Sequence, residues 1–175
     1  MKENSLTAVD DDWITFAETN AAPALTRQAI FGRSIFDFIA DSESRQLYSA
    51  IFDKVRHTGE ESVIPFRCDS PDTRRFMELC VKREPGDHVT LESVMIREEH
   101  RPVAELLNTD RPASDELVLM CSWCKRIDVD GTWMEIEDAM RELDLFSQEV
   151  LPQLSHGICD DCQDNLDREA SALGE

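Results

Sequence analysis

Residues 121–127 read CSWCKRI, and a second Cys-x2-Cys pair returns in residues 155–162, SHGICDDC. A two-residue gap lets one tight turn aim two sulfurs at a single point. Two such turns brought together supply the four ligands of a tetrahedral site, with sulfur about 2.3 Å from zinc. The spacing therefore predicts that Cys121, Cys124, Cys159 and Cys162 hold one zinc ion per chain, although the 34-residue gap between the pairs exceeds the usual zinc-ribbon range. Four thiolates around a divalent ion leave a net charge of about −2, which neighbouring donors relieve. Lys125, Arg126 and the turn amides are placed to supply them. His156 lies three residues before Cys159 and fits a supporting role better than that of a ligand, since four sulfurs complete the tetrahedron. Two other readings stand beside the metal. Either pair can act as a redox couple, because a thiol next to Lys125 and Arg126 has reason for a lowered pKa. Alternatively, the four are small buried hydrophobes. Covalent haem attachment needs a histidine directly after the pair, where this chain has Lys125 and Gln163.

Working outward, RIDVDGTW reads as a hairpin turning at Asp130-Gly131. TWMEIEDAMRELDLF reads as a helix with Trp133, Ile136, Met140 and Leu143 inward. After the second pair, DDCQDNLDREASAL continues as a short acidic helix whose apolar residues include Leu166 and Ala170. A module over residues 117–170 has little core of its own, and a metal supplies the missing stability. Residues 101–116, with two prolines and scattered charge, read as a linker containing one helical turn at Ala104–Leu107.

The N-terminal part, residues 5–100, opens with a helical patch around Trp13, Phe16 and Ala17, in which an aspartate of the 10–12 run caps the helix. Gly32 punctuates the next segment, where Ile35, Phe36 and Ile39 share an apolar face. Trp13, Phe16, Phe36 and Phe38 are explained by core packing. A longer helix covers residues 42–57, with Leu47, Ile51 and Val55 on one stripe and Gly59 just beyond its end. Three strands follow, over residues 62–68, 74–83 and 89–97, joined by turn chemistry at DSPDT and EPGDH. The expected fold class is thus α+β, an antiparallel sheet with helices on one face plus a small four-cysteine module. A hairpin turning near Ser70-Pro71 places Cys68 opposite residue 73 or 74, far from Cys80, so neither is assigned a role. Arg67, Arg74 and Arg75 read better as partners of acids than as an anion site.

A net charge of −19 argues against binding nucleic acid or an anionic membrane surface. No apolar run approaches a membrane span, and the N-terminus lacks a signal-like hydrophobic stretch, so the expectation is a cytoplasmic protein. In that reducing setting paired cysteines read first as ligands or redox thiols.

CSWCKRIDVDGTWMEIE followed by SHGICDDC resembles a cysteine module found at the ends of bacterial signalling chains, with the pattern CxWCKxI, a Gly-x-Trp, a Glu-rich helix and SHGICPxC. The likeness covers residues 119–165 and departs at Asp160, where that family usually carries proline. VDDDWITFAETNAA, FGRSIFDFI and IPFRCDSPDTRRFMEL are similar to stretches of PAS-like sensor domains. That resemblance implies a five-stranded antiparallel sheet with helices over one face, and commonly a small ligand, a protein partner or a homodimer. No histidine box, nucleotide-binding lobe, cyclase motif, receiver pocket or flavin-adduct cysteine is apparent, so the chain is expected not to be an enzyme.

The resulting expectation is a non-catalytic signal-transduction protein, in which PAS-like sensing of a small ligand or protein partner shifts how a zinc module presents itself. A thiol redox switch or thiol-disulfide oxidoreductase and an inert protein-protein adaptor are the alternatives.

Overall fold

The computed structural model describes residues 4–19, 22–39, 41–108 and 110–171. Its contacts divide into two compact units, Met1–Ser42 and Glu43–Glu175. In the first unit, helix α1 spans Asp11–Thr19. Its N-terminus is capped as the sequence suggests, with the Trp13 backbone N–H donating to Asp10 Oδ1 at 2.8 Å. Helix α2 is a single turn, Arg27–Ile30, capped by the Thr26 hydroxyl. A 3-10 turn over Ile35–Phe38 follows Gly32, whose φ of +76° lies in the left-handed region. Core packing does not explain the aromatic residues of α1, because Trp13 and Phe16 are 37% and 49% exposed.

The second unit is α+β. Helix α3, Ser42–Thr58, buries Leu47, Ile51, Phe52 and Val55 along one stripe and ends before Gly59, which has positive φ. Strands β1 (Ser62–Arg67), β2 (Thr73–Glu84) and β3 (His88–His100) form an antiparallel meander in that order. Alternation on β1 buries Ser62 and Ile64 and exposes Val63 and Pro65, so one face is covered. The resemblance implied five strands; among the described residues this sheet holds three. Cys68 lies one residue further along than expected, its N–H bonding to the Arg75 carbonyl, while Cys80 is in register with Val63. The two cysteines are therefore apart.

Residues 101–116 are not a free linker. Ala104 and Leu106, in and beside a 3-10 turn at Glu105–Leu107, are 1% and 2% exposed and join the core formed by Met120, Ile127, Ile136, Met140 and Leu151. The Arg111 guanidinium donates to the carbonyls of Leu151 and Pro152, and strand β4 begins at Ala113 and runs to Cys121. Charge and proline suggested a tether, but Ala104 and Leu106 anchor the segment to that core.

A second sheet has the order β6-β5-β4-β7, from β5 (Ile127–Val129), β6 (Thr132–Met134) and β7 (Leu151–Gly157). The hairpin turn falls at Asp130-Gly131 as read from the sequence, with φ of 51° and 83°. A Cβ on Gly131 would meet nothing within 4 Å, so backbone conformation alone demands glycine there. Gly131→Ala is expected to lower stability by about 1 kcal/mol in equilibrium denaturation; an unchanged midpoint would refute the turn assignment.

Helix α4, Ile136–Glu142, starts later than the sequence suggests. Trp133 and Met134 belong to β6, and Glu135 is still extended. Ile136 and Met140 are buried as expected, joined by Ala139, and Leu143 is half-buried. Helix α5, Asp160–Ser171, buries Leu166 and packs against β1.

Candidate metal centre

Strands β4 and β7 are parallel neighbours, with Cys121 in register with Gly157. Both chains therefore leave the sheet at the same end. Cys121 is the last residue of β4, and Cys159 follows the last residue of β7 by two positions. This shared exit brings together two cysteine pairs separated by 34 residues of sequence. The intervening hairpin and α4 fill the crossover that a parallel pair requires.

The first turn is closed by backbone bonds. The Lys125 N–H donates to the Cys121 carbonyl at 3.0 Å and the Cys121 N–H to the Arg126 carbonyl at 2.8 Å, with Lys125 in the left-handed region at φ 62°. The Ser122 N–H donates to the Gly157 carbonyl, which ties this turn to β7. The second turn is the start of α5, where the Gln163 N–H donates to the Cys159 carbonyl at 2.9 Å. Cys124 and Cys162 complete the two turns.

All four Sγ atoms lie within 4.8 Å of one another, and Cys124 and Cys159 approach to 3.6 Å. A tetrahedral zinc tetrathiolate has sulfur–sulfur edges of about 3.8 Å, from bonds of about 2.3 Å, so the sulfurs fit such an ion. Cys121 and Cys159 are buried, and Cys124 and Cys162 are half-buried. His156 stands outside this group, exposed on β7 in register with Met120.

Donors to the sulfurs come from the backbone. The Cys159 N–H reaches Cys121 Sγ at 3.4 Å, and that of Arg126 points to Cys124. The Cys121 thiol is held far below its usual range by hydrogen bonds from the Cys124 and Cys162 thiols, reinforced by backbone N–H groups and opposed by burial. Cys124 is correspondingly pushed up to about 12 by its bond to Cys121 and by burial. Cys162 is driven up more strongly by the same two sulfurs. Four thiols this close oppose one another's ionisation, and a divalent cation among them is what allows them to ionise together.

Lys125 and Arg126 act differently from the expectation. Lys125 Nζ donates to the Ser122 carbonyl at 2.7 Å and not to sulfur; burial lowers its pKa. Arg126 pairs with Asp161 at 3.1 Å, clasping the first turn to the second.

Around the turns lies a charged network whose particular acidic partners the sequence did not disclose. Arg67 bonds to Asp69 and, at 2.8 Å, to Glu135; Arg74 reaches Glu137 at 2.5 Å; Arg101 lies 3.3 Å from Asp69 and 3.5 Å from Glu137. Arg75 pairs with Glu98. The arginines of the basic stretch therefore meet acids, as expected, rather than forming an anion site.

No family model, curated protein or solved structure matches the chain. Its fold and site define an α+β protein with antiparallel and mixed sheets and four cysteines positioned to hold a metal ion. Among the described residues no helix is long and apolar enough to cross a membrane.

Proposed function

We propose that this is a non-catalytic bacterial signal-transduction protein, in which a PAS-like half, residues 5–100, recognises a small ligand or a protein partner and a zinc-stabilised module transmits the change. The observation that supports it most directly is the packing of four sulfurs within 4.8 Å at the ends of two parallel strands. Thiolate donors select zinc over magnesium or calcium, and four protein ligands leave no open position for a reacting water. The ion's contribution is therefore stability and geometry. Cys121, Cys124, Cys159 and Cys162 hold it; the Cys159 and Arg126 amides spread the sulfur charge. Six free cysteines accord with a reducing, cytoplasmic setting.

Sensing in this reading is a population shift, so ligand and metal module must be energetically coupled. The first test is metal content of native protein by mass spectrometry, where about one zinc per chain is expected. Native protein that carries no metal and takes up none when zinc is added would overturn the zinc reading. Calorimetry and hydrogen exchange showing no response of the module to any ligand of residues 5–100 would overturn the sensor half.

One observation favours a second reading. Cys159 and Cys162 open a helix directly after a strand, the setting of thiol-disulfide oxidoreductases. Turnover in an insulin-reduction assay that depends on Cys159 would establish it. The third candidate, an inert adaptor, calls for tight zinc and a stable protein partner without a small ligand.

A further inference from the structure

Between the first two cysteines, Trp123 is only 4% exposed. Its surroundings belong to helix α3 and strand β1 rather than to the module's own core. The indole N–H donates to the Ser44 hydroxyl at 3.2 Å. The ring stacks on Tyr48, with centroids 5.1 Å apart and planes inclined by 29°, and Tyr48 in turn meets Phe52 at 5.8 Å. The Trp123 carbonyl accepts from the Arg67 N–H at 2.7 Å, the bond at the end of β1. A residue held between two ligands of one ion thus makes a side-chain bond and a ring stack to α3 and a backbone bond to β1.

We propose that Trp123 couples occupancy of the four-sulfur centre to the order of helix α3. The proposal rests on the metal reading of those sulfurs and names how the site is read out. With the ion bound, Cys121 and Cys124 fix both ends of the turn, and the indole is pinned in the pocket made by Ser44 and Tyr48. When the ion leaves, the turn regains backbone freedom and the N-terminal half of α3 loses a buried hydrogen bond and its aromatic cap. Loss of the ion by chelation thereby becomes a change in a helix remote from the sulfurs in sequence.

The experiment is hydrogen exchange by mass spectrometry on the full chain, zinc-loaded and chelator-stripped, with bound zinc counted in each sample. Wild type is compared with Trp123→Ala. Stripping wild type is expected to speed exchange of α3 amides by about tenfold or more, while the β2–β3 ladder changes by less than about twofold. Trp123→Ala is expected to retain zinc, to exchange α3 at the stripped wild-type rate even when loaded, and to respond little to stripping. Equal acceleration across α3 and the β2–β3 ladder would overturn the proposal, as would an α3 in Trp123→Ala that still responds to stripping like wild type. Should Trp123→Ala fail to fold, Ser44→Ala, which removes the indole's acceptor, is expected to reduce the wild-type response, and an undiminished response overturns the link. Zinc bound with no α3 response would leave the metal reading standing and end this inference; no zinc in any sample would end both.

Discussion

Replacing Cys159 by serine is expected to abolish metal binding and to lower the stability of the four-cysteine module, residues 117–170, by at least about 4 kcal/mol. Three features of the site converge on this residue. Its side chain is 1% exposed, so a serine hydroxyl there is buried in place of a thiolate. Its sulfur is 3.6 Å from Cys124, an edge of the tetrahedron, and an alkoxyl oxygen is a harder ligand that zinc accepts poorly beside three thiolates. Its N–H supports Cys121 Sγ and its carbonyl receives the first helical bond of α5. Losing the ion therefore loosens both turns together. Guanidinium denaturation with and without added zinc is the check: the wild-type midpoint should rise with zinc and the variant's should not. Cys68→Ser and Cys80→Ser, whose sulfurs lie outside the four-sulfur cluster, should cost about 1 kcal/mol or less and keep the zinc dependence. If Cys159→Ser unfolded at the wild-type midpoint, the four sulfurs would be a packing cluster and nothing more.

The centre was legible because its determinants are local. Two-residue spacings dictate tight turns, Asp130-Gly131 dictates a hairpin between them, and the apolar rhythm Ile136, Met140 marks a helix that must return toward the first pair. What the sequence concealed was how the pairs meet. Strand β7 carries Pro152, a residue that argues against a strand unless the strand lies on an edge, and β7 is the edge of its sheet. Its parallel partner β4 is distant in sequence, and pairings of that kind have no local signal. The same reason hid the role of residues 101–116, whose Ala104 and Leu106 become core only through the β4–β7 pairing. Helix α4 was placed too early because Trp133 and Met134 fit both periods, and cross-strand pairing with Asp128 and Ile127 decided for the strand. Lys125 was expected to face sulfur as a cation, yet its left-handed backbone directs the ammonium to the Ser122 carbonyl, where it closes the turn it belongs to.

Asp69→Ala should cost about 3–5 kcal/mol, the second large effect, even though Asp69 is neither a ligand nor a core hydrophobe. Its side chain is 1% exposed and faces two guanidiniums, Arg67 and Arg101, whose side chains are 7% and 3% exposed. Oδ1 also accepts from the Arg75 N–H at 3.3 Å. With the carboxylate gone, Arg67 retains Glu135 and Arg101 retains Glu137 at 3.5 Å, so three acidic contacts to buried cations disappear or weaken without water to replace them. A surface pair makes the contrast: Arg75→Ala breaks a bond to Glu98, which is 40% exposed, and should cost under about 1 kcal/mol. Salt separates the two further, since the Asp69 effect arises where screening is weak and should persist at high ionic strength, whereas the Arg75 effect should shrink. The double variant Asp69→Ala/Arg101→Met removes one of the stranded charges together with its partner and should recover part of the loss, a coupling readable in a mutant cycle. A loss below about 1 kcal/mol in Asp69→Ala would mean that the Arg67 and Arg101 guanidiniums reach water once the carboxylate is gone, and that the network is not held as a buried one.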